Sequence, residues 1–155
     1  MSNVKIQGNI SGTGTFTIAA PAGSTDRTLT LPDVSATIAG VDVAQSFTAA
    51  QRGAVVALTD GSTITPDFAV ANNFSVTLGG NRTLANPSNL TAGQSGAITI
   101  TQDGTGSRTL AYGSYRKFVN GVAPSLTTTA DAVDVLTYYV ESSTSIAARL
   151  MADVK

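Results

Sequence analysis

At 155 residues the chain suits one domain, which would bury roughly 70% of the surface its unfolded form exposes. A net charge of −1 without any basic cluster argues against nucleic acid and against anionic membrane surfaces, and no apolar run approaches the roughly 20 residues that span a bilayer. With neither His nor Cys the sequence lacks the commonest general base, a thiolate nucleophile, the usual soft metal ligands and any disulfide framework. Charged residues are only 12% of the chain, and 23 threonines and 15 serines take their place. Threonine is β-branched and fits a pleated sheet, and a hydroxyl-rich surface with few charges is easily covered by other protein copies.

Strands come first. "NVKIQGNI" alternates, with Val4, Ile6 and Ile10 on one face and polar residues opposite. It lacks the charged region and apolar block of a signal peptide, so synthesis in a cytoplasm is expected. "GTFTIAAP" repeats the alternation with Phe16 and Ile18, and "RTLTLP" adds Leu29 and Leu31 before Pro32, which cannot donate to a neighbouring strand. These apolar faces are too thin to form a core of their own. Residues 1–47 therefore read as an N-terminal β arm made to lie against another surface, with those seven residues as its contacts.

"SFTAAQRG" then places Thr48 three residues before Gln51, a capping-box spacing that predicts one or two helical turns as a hinge. Residues 48–155 read as the body. "NFSVTL" alternates with Phe74, Val76 and Leu78, "GAITITQ" with Ile98 and Ile100, and "AVDVLTYYV", apolar on both faces, predicts a central strand carrying Leu136. "ESST" turns that strand into "SIAARLM", a C-terminal hairpin. Short strands at roughly 8–12-residue spacing, separated by Gly and Asn turns, predict an all-β protein whose body is an antiparallel β-sandwich or jelly roll. The triplet Arg-Thr-Leu recurs at Arg27, Arg82 and Arg108 without a longer period, so a solenoid is not predicted.

Little in the body carries chemistry. The "DGS" at Asp60 and the "DGTGS" at Asp103 each supply one carboxylate, too few for a calcium site, and neither the "GTG" from Gly12 to Gly14 nor the "GTGS" from Gly104 to Ser107 opens a helix as a phosphate loop must. Asp131 and Asp134 are three apart, on opposite faces of a strand, and cannot work as an acid–base pair. No catalytic residue, metal or cofactor is expected, and the protein reads as a non-enzyme. The aromatics Tyr112, Tyr115, Phe118, Tyr138 and Tyr139 gather in the last third. They suit the core or a subunit interface, and alternatively a stacking surface for sugars.

"GTFTIAAPAGSTDRTLTLPDVSATIAG" resembles a repeated segment of tailed-bacteriophage fibre proteins, with Ile38 and Ala39 where that segment often has Thr-Leu. The stretches "QSFTAAQRGAVVALTDG", "FSVTLGGNRTLANPSNLTAGQSGAITITQDGTGSRTLAYGSYRKF" and "DAVDVLTYYVESSTSIAARL" resemble C-terminal modules of phage fibres and other virion surface proteins. The resemblance implies a β-rich homotrimer on the virion surface, assembled in the cytoplasm of a host bacterium. The chain is shorter than a typical tail fibre, which points to a capsid decoration or head-fibre protein bound to the major capsid protein. The alternative is a tail-fibre component, or a receptor-binding tip that holds a host surface glycan.

Overall fold

The computed structural model describes residues 50–155 continuously, together with residues 11–15, 17, 22–24, 26, 28 and 47. The chain divides into two compact units, Met1–Ser46 and Phe47–Lys155, and the second is described below. The arm residues Val4, Ile6, Ile10, Phe16, Ile18, Leu29 and Leu31 lie outside the described residues. Of the segment expected to form a hinge helix, Phe47 and Ala50 to Gly53 carry no helical turn, while Thr48 and Ala49 lie outside the description. The only helical turn among the described residues is a 3-10 turn, Val119–Gly121.

The body is built from strands β1 (Val55–Ala57), β2 (Thr63–Ile64), β3 (Asn73–Leu78), β4 (Arg82–Leu84), β5 (Ser95–Gln102), β6 (Leu110–Tyr112), β7 (Arg116–Lys117), β8 (Val133–Ser142) and β9 (Ser145–Met151). They form a six-stranded sheet in the order β1-β3-β5-β8-β9-β7 and a three-stranded sheet in the order β2-β4-β6. The all-β class stands, but the pairing departs from an antiparallel sandwich. From β1 to β6 the chain alternates between the sheets, and each strand pairs in parallel with the one two places earlier. Only β5–β8 and β8–β9 are antiparallel, and β7 joins β9 in parallel. A parallel neighbour needs a long return path. Here that path is a strand of the opposite sheet, so β1 to β6 wind as a coil.

Both sheets bury their inner residues in one core. Phe74, Val76, Leu78, Ile98, Ile100 and Leu136, the six expected from alternation, are each at most 5% exposed. Ile64 from β2 and Leu84 from β4 join them from the smaller sheet, and Phe68 enters from the segment between β2 and β3. The Phe68 ring stacks on Phe74 and on Tyr138, with centroids 5.7 and 4.6 Å apart.

Polar side chains fix the returns. Gln102, 2% exposed, accepts from the Arg108 N–H at 2.8 Å and donates to the Arg108 carbonyl at 3.0 Å, closing the 103–107 turn as a backbone pair would. Asp134, equally buried, accepts the Thr127 and Asp153 amides at 2.7 Å, tying a loop and the C-terminal tail to β8. A buried carboxylate is tolerated when its oxygens take such donors.

Candidate interaction surface

In both Asp-Gly turns the carboxylate is engaged by an arginine. Asp60 accepts from Arg82 Nε and Nη2 at 2.8 and 2.6 Å and from the Gly79 amide at 3.2 Å. Asp103 accepts from Arg108 Nε and Nη2 and from the Thr105 and Gly106 amides. The Arg82 guanidinium holds the Asp60 carboxyl below its ordinary value of 3.8, and Arg108 does the same for Asp103. Two of the three Arg-Thr-Leu triplets are thus explained: Arg82 opens β4, Arg108 precedes β6, these strands are neighbours, and each arginine clamps an Asp-Gly turn. The triplet at Arg27 includes residues outside the description.

The five aromatics read together in the sequence separate in space. Tyr138 belongs to the core, and its hydroxyl donates to the Asn72 carbonyl at 2.7 Å. Burial pushes that phenol up to about 12. Tyr139, the next residue on the strand, faces the other way and is 50% exposed. It shares an open hollow with Thr137, Ala147 and Arg149. Tyr112 and Phe118 form an edge-on pair with centroids 4.8 Å apart. Tyr115 lies half-buried against the core, its amide held by Asn86 Oδ1 at 2.9 Å.

Between Tyr112 and Phe118 the short strand β7 carries the group that sequence reading overlooked. Arg116 is only 7% exposed. Its Nη1 donates to the Leu84 and Ala85 carbonyls at 2.9 and 2.8 Å, which fastens β7 to the end of β4. Its Nη2 is buried without a hydrogen-bond partner, as is the Tyr112 hydroxyl. Burial lowers the Arg116 guanidinium to about 10 and raises the Tyr112 phenol to about 12, so at neutral pH the first is a cation and the second an intact O–H. Lys117 projects outward, and its Nζ donates to the Ser114 carbonyl at 3.0 Å. In "SYRKF" nothing separates Arg116 from its neighbour except strand alternation, and two residues are too few to display it.

A cavity of about 390 Å³ is lined by Tyr112, Ser114, Arg116, Lys117, Phe118 and neighbouring small residues. Phe118 also lines a groove of about 370 Å³ together with Val119, Val122 and Pro124 and the β9 residues Ala148, Arg149 and Leu150. Val119 and Val122 are 66% and 69% exposed.

These features define a class: a β-wound, charge-poor module with an aromatic and cationic edge. Residues 63–142 match the family described as "Putative phage tail fibre C-terminal domain". The match runs from the first residue of β2 to the last of β8, just over half of the chain, and the protein belongs to this family of phage tail fibre domains. Membership implies a virion-associated protein. No curated protein and no solved structure matches the chain.

Proposed function

We propose that the chain is a non-enzymatic structural module of a phage tail fibre, assembled as a homotrimer on the virion surface and turned toward a host surface glycan. The observation that carries this reading is the family match, which covers the wound core from β2 to β8. It moves the reading from capsid decoration, the first expectation from sequence, to the tail. The outer face of the six-stranded sheet supports self-assembly. One register row across it is Ala57, Ser75, Thr99, Val135 and Met151, and the next is Val55, Asn73, Ala97, Thr137 and Arg149. Those two rows carry a single charge, so a second copy would cover them at little desolvation cost. Three of the described carboxylates, Asp60, Asp103 and Asp134, are engaged by arginines or backbone amides, which supports a structural role for them.

Immunogold labelling of intact particles is the direct test. Label at the fibre tips, together with adsorption of the purified protein to susceptible cells, is the expected result. Label spread over the head would return the reading to capsid decoration. A folded monomer at micromolar concentration by light scattering would remove the homotrimer from the proposal.

A further inference from the structure

The Arg116 cavity is unusual on physical grounds. An arginine only 7% exposed ordinarily sits against a carboxylate, because an unpaired buried charge is expensive. The ion pairs among the described residues are Asp60–Arg82, Asp103–Arg108 and Asp153–Lys155, and none involves Arg116 or Lys117. The cavity lining includes no acidic residue. Instead it brings together a buried cation with a spare N–H group, a phenol with a spare hydroxyl, an exposed ammonium and an aromatic ring. Lys117 has given one of its three donors to Ser114, so others remain for a ligand.

We propose that this cavity binds an anionic saccharide, whose carboxylate or phosphate is taken by Lys117 and Arg116 while the sugar ring packs against Phe118. The inference rests on the glycan-facing reading above and specifies its ligand chemistry. The volume of about 390 Å³ lies at the lower end for ligand sites, which fits a single sugar unit and its charged group. Cation–anion hydrogen bonds are roughly twice as strong as neutral ones, so the charge decides which sugars are held. The Arg116 Nη2 and the Tyr112 hydroxyl are closed off from solvent. Phe118 lines the same cavity and packs edge-on against Tyr112, and the proposed ligand reaches these atoms by displacing its ring. Asn120 and Gly121, at φ 57° and 69°, follow it in a tight exposed turn.

The test is an NMR titration of the full chain with D-glucuronate, glucose 6-phosphate, glucose and inorganic phosphate at constant ionic strength. At least one anionic sugar should shift the Arg116 and Lys117 side-chain signals and the Tyr112 and Phe118 rings, with affinity about tenfold or more above glucose. A response to glucuronate alone assigns a carboxylate sugar, and one to glucose 6-phosphate alone a phosphorylated sugar. Lys117→Gln and Tyr112→Phe should each weaken the response by about three- to tenfold. Tyr112→Phe should do so while leaving thermal stability equal or slightly raised, because it removes a buried hydroxyl that has no partner. Equal binding of glucose and the anionic sugars would overturn the proposal, as would equal binding of inorganic phosphate and glucose 6-phosphate, or silence at these four residues. Wild-type protein that adsorbs to cells while the cavity stays silent sinks the site and leaves the glycan-facing reading intact. A titrating cavity on protein that does not adsorb sinks that reading instead.

Discussion

In the β8–β9 hairpin Val140 faces Ile146 across a turn closed by Ser142 and Ser145, whereas in the wound part Arg82 on β4 faces Leu110 on β6, 28 residues later. The hairpin closes a short loop, so its register follows from the turn and from which residues face the core. The winding closes loops of 18 to 28 residues, from Val55 and Asn73 to Arg82 and Leu110, and no single turn can set their register. Side chains act as posts there. Asp60 holds Arg82, Asn81 Oδ1 accepts the Thr109 amide at 3.0 Å, and Asn86 Oδ1 accepts the Tyr115 amide at 2.9 Å. Each post joins one turn of the coil to the next. The contrast teaches that the same apolar alternation can be locked locally in one half of a core and by distant polar contacts in the other.

The strongest way to break that contrast is Leu136→Ala. Leu136 is fully buried on β8, the strand that borders both regions. Its truncation should cost about 2–5 kcal/mol in urea unfolding and leave a single transition. Two separate transitions would mean that hairpin and winding unfold as independent units.

Next comes Gly96→Ala on β5. A Cβ there would run into the Asn72 carbonyl and approach the Tyr138 hydroxyl to 2.8 Å, where the winding meets the hairpin. A loss of about 1–3 kcal/mol is expected. A neutral result would show that the 71–73 segment yields freely and is not a fixed post.

Removing the two carboxylates clamped by arginine should do less. Asp60→Asn with Asp103→Asn should lower the melting temperature modestly at neutral pH, since each pair is partly exposed and such pairs contribute little. The pH dependence has a definite sign. Both carboxyls are held below 3.8 in the folded state, so their contribution is fully present above that value and is lost as pH falls below it. The gap in melting temperature between wild type and the double variant should therefore close in acid, and a gap constant down to about pH 2 would refute the role of these pairs.

The smallest effect sharpens the contrast from outside the core. Tyr139→Ser, on the open face of β8, should change stability by no more than about 0.5 kcal/mol. Reduced self-association of this variant at unchanged stability would mark that face as the subunit contact.

Much of the core was legible because β3, β5 and β8 run six to ten residues, long enough for period-2 alternation to appear. Ile64 and Leu84 were missed because β2 and β4 are two and three residues long, too short for any period. Phe68 enters the core from outside a strand, so no periodicity marks it. The edge aromatics could be named but not sorted, since adjacent Tyr138 and Tyr139 end on opposite sides of one sheet and only the register says which is inside.

Alternation, turn residues and the absence of His and Cys are properties of neighbouring residues, set by covalent geometry and composition. By themselves they determined the β class, the central six core residues, the C-terminal hairpin and the lack of any histidine or cysteine chemistry. Strand direction and partner are not local. Whether β3 pairs in parallel with β1 or antiparallel with β4 depends on how two sheets share one core, and the coil returns at uneven intervals, Val55 to Asn73 and then Asn73 to Ala97, which hides its repeat. The burial of Arg116 is of the same kind. A guanidinium three residues before an exposed valine turn becomes an interior cation only because β7 is laid against β9 while its side chain reaches the end of β4, a meeting of segments thirty or more residues apart that tertiary packing alone decides.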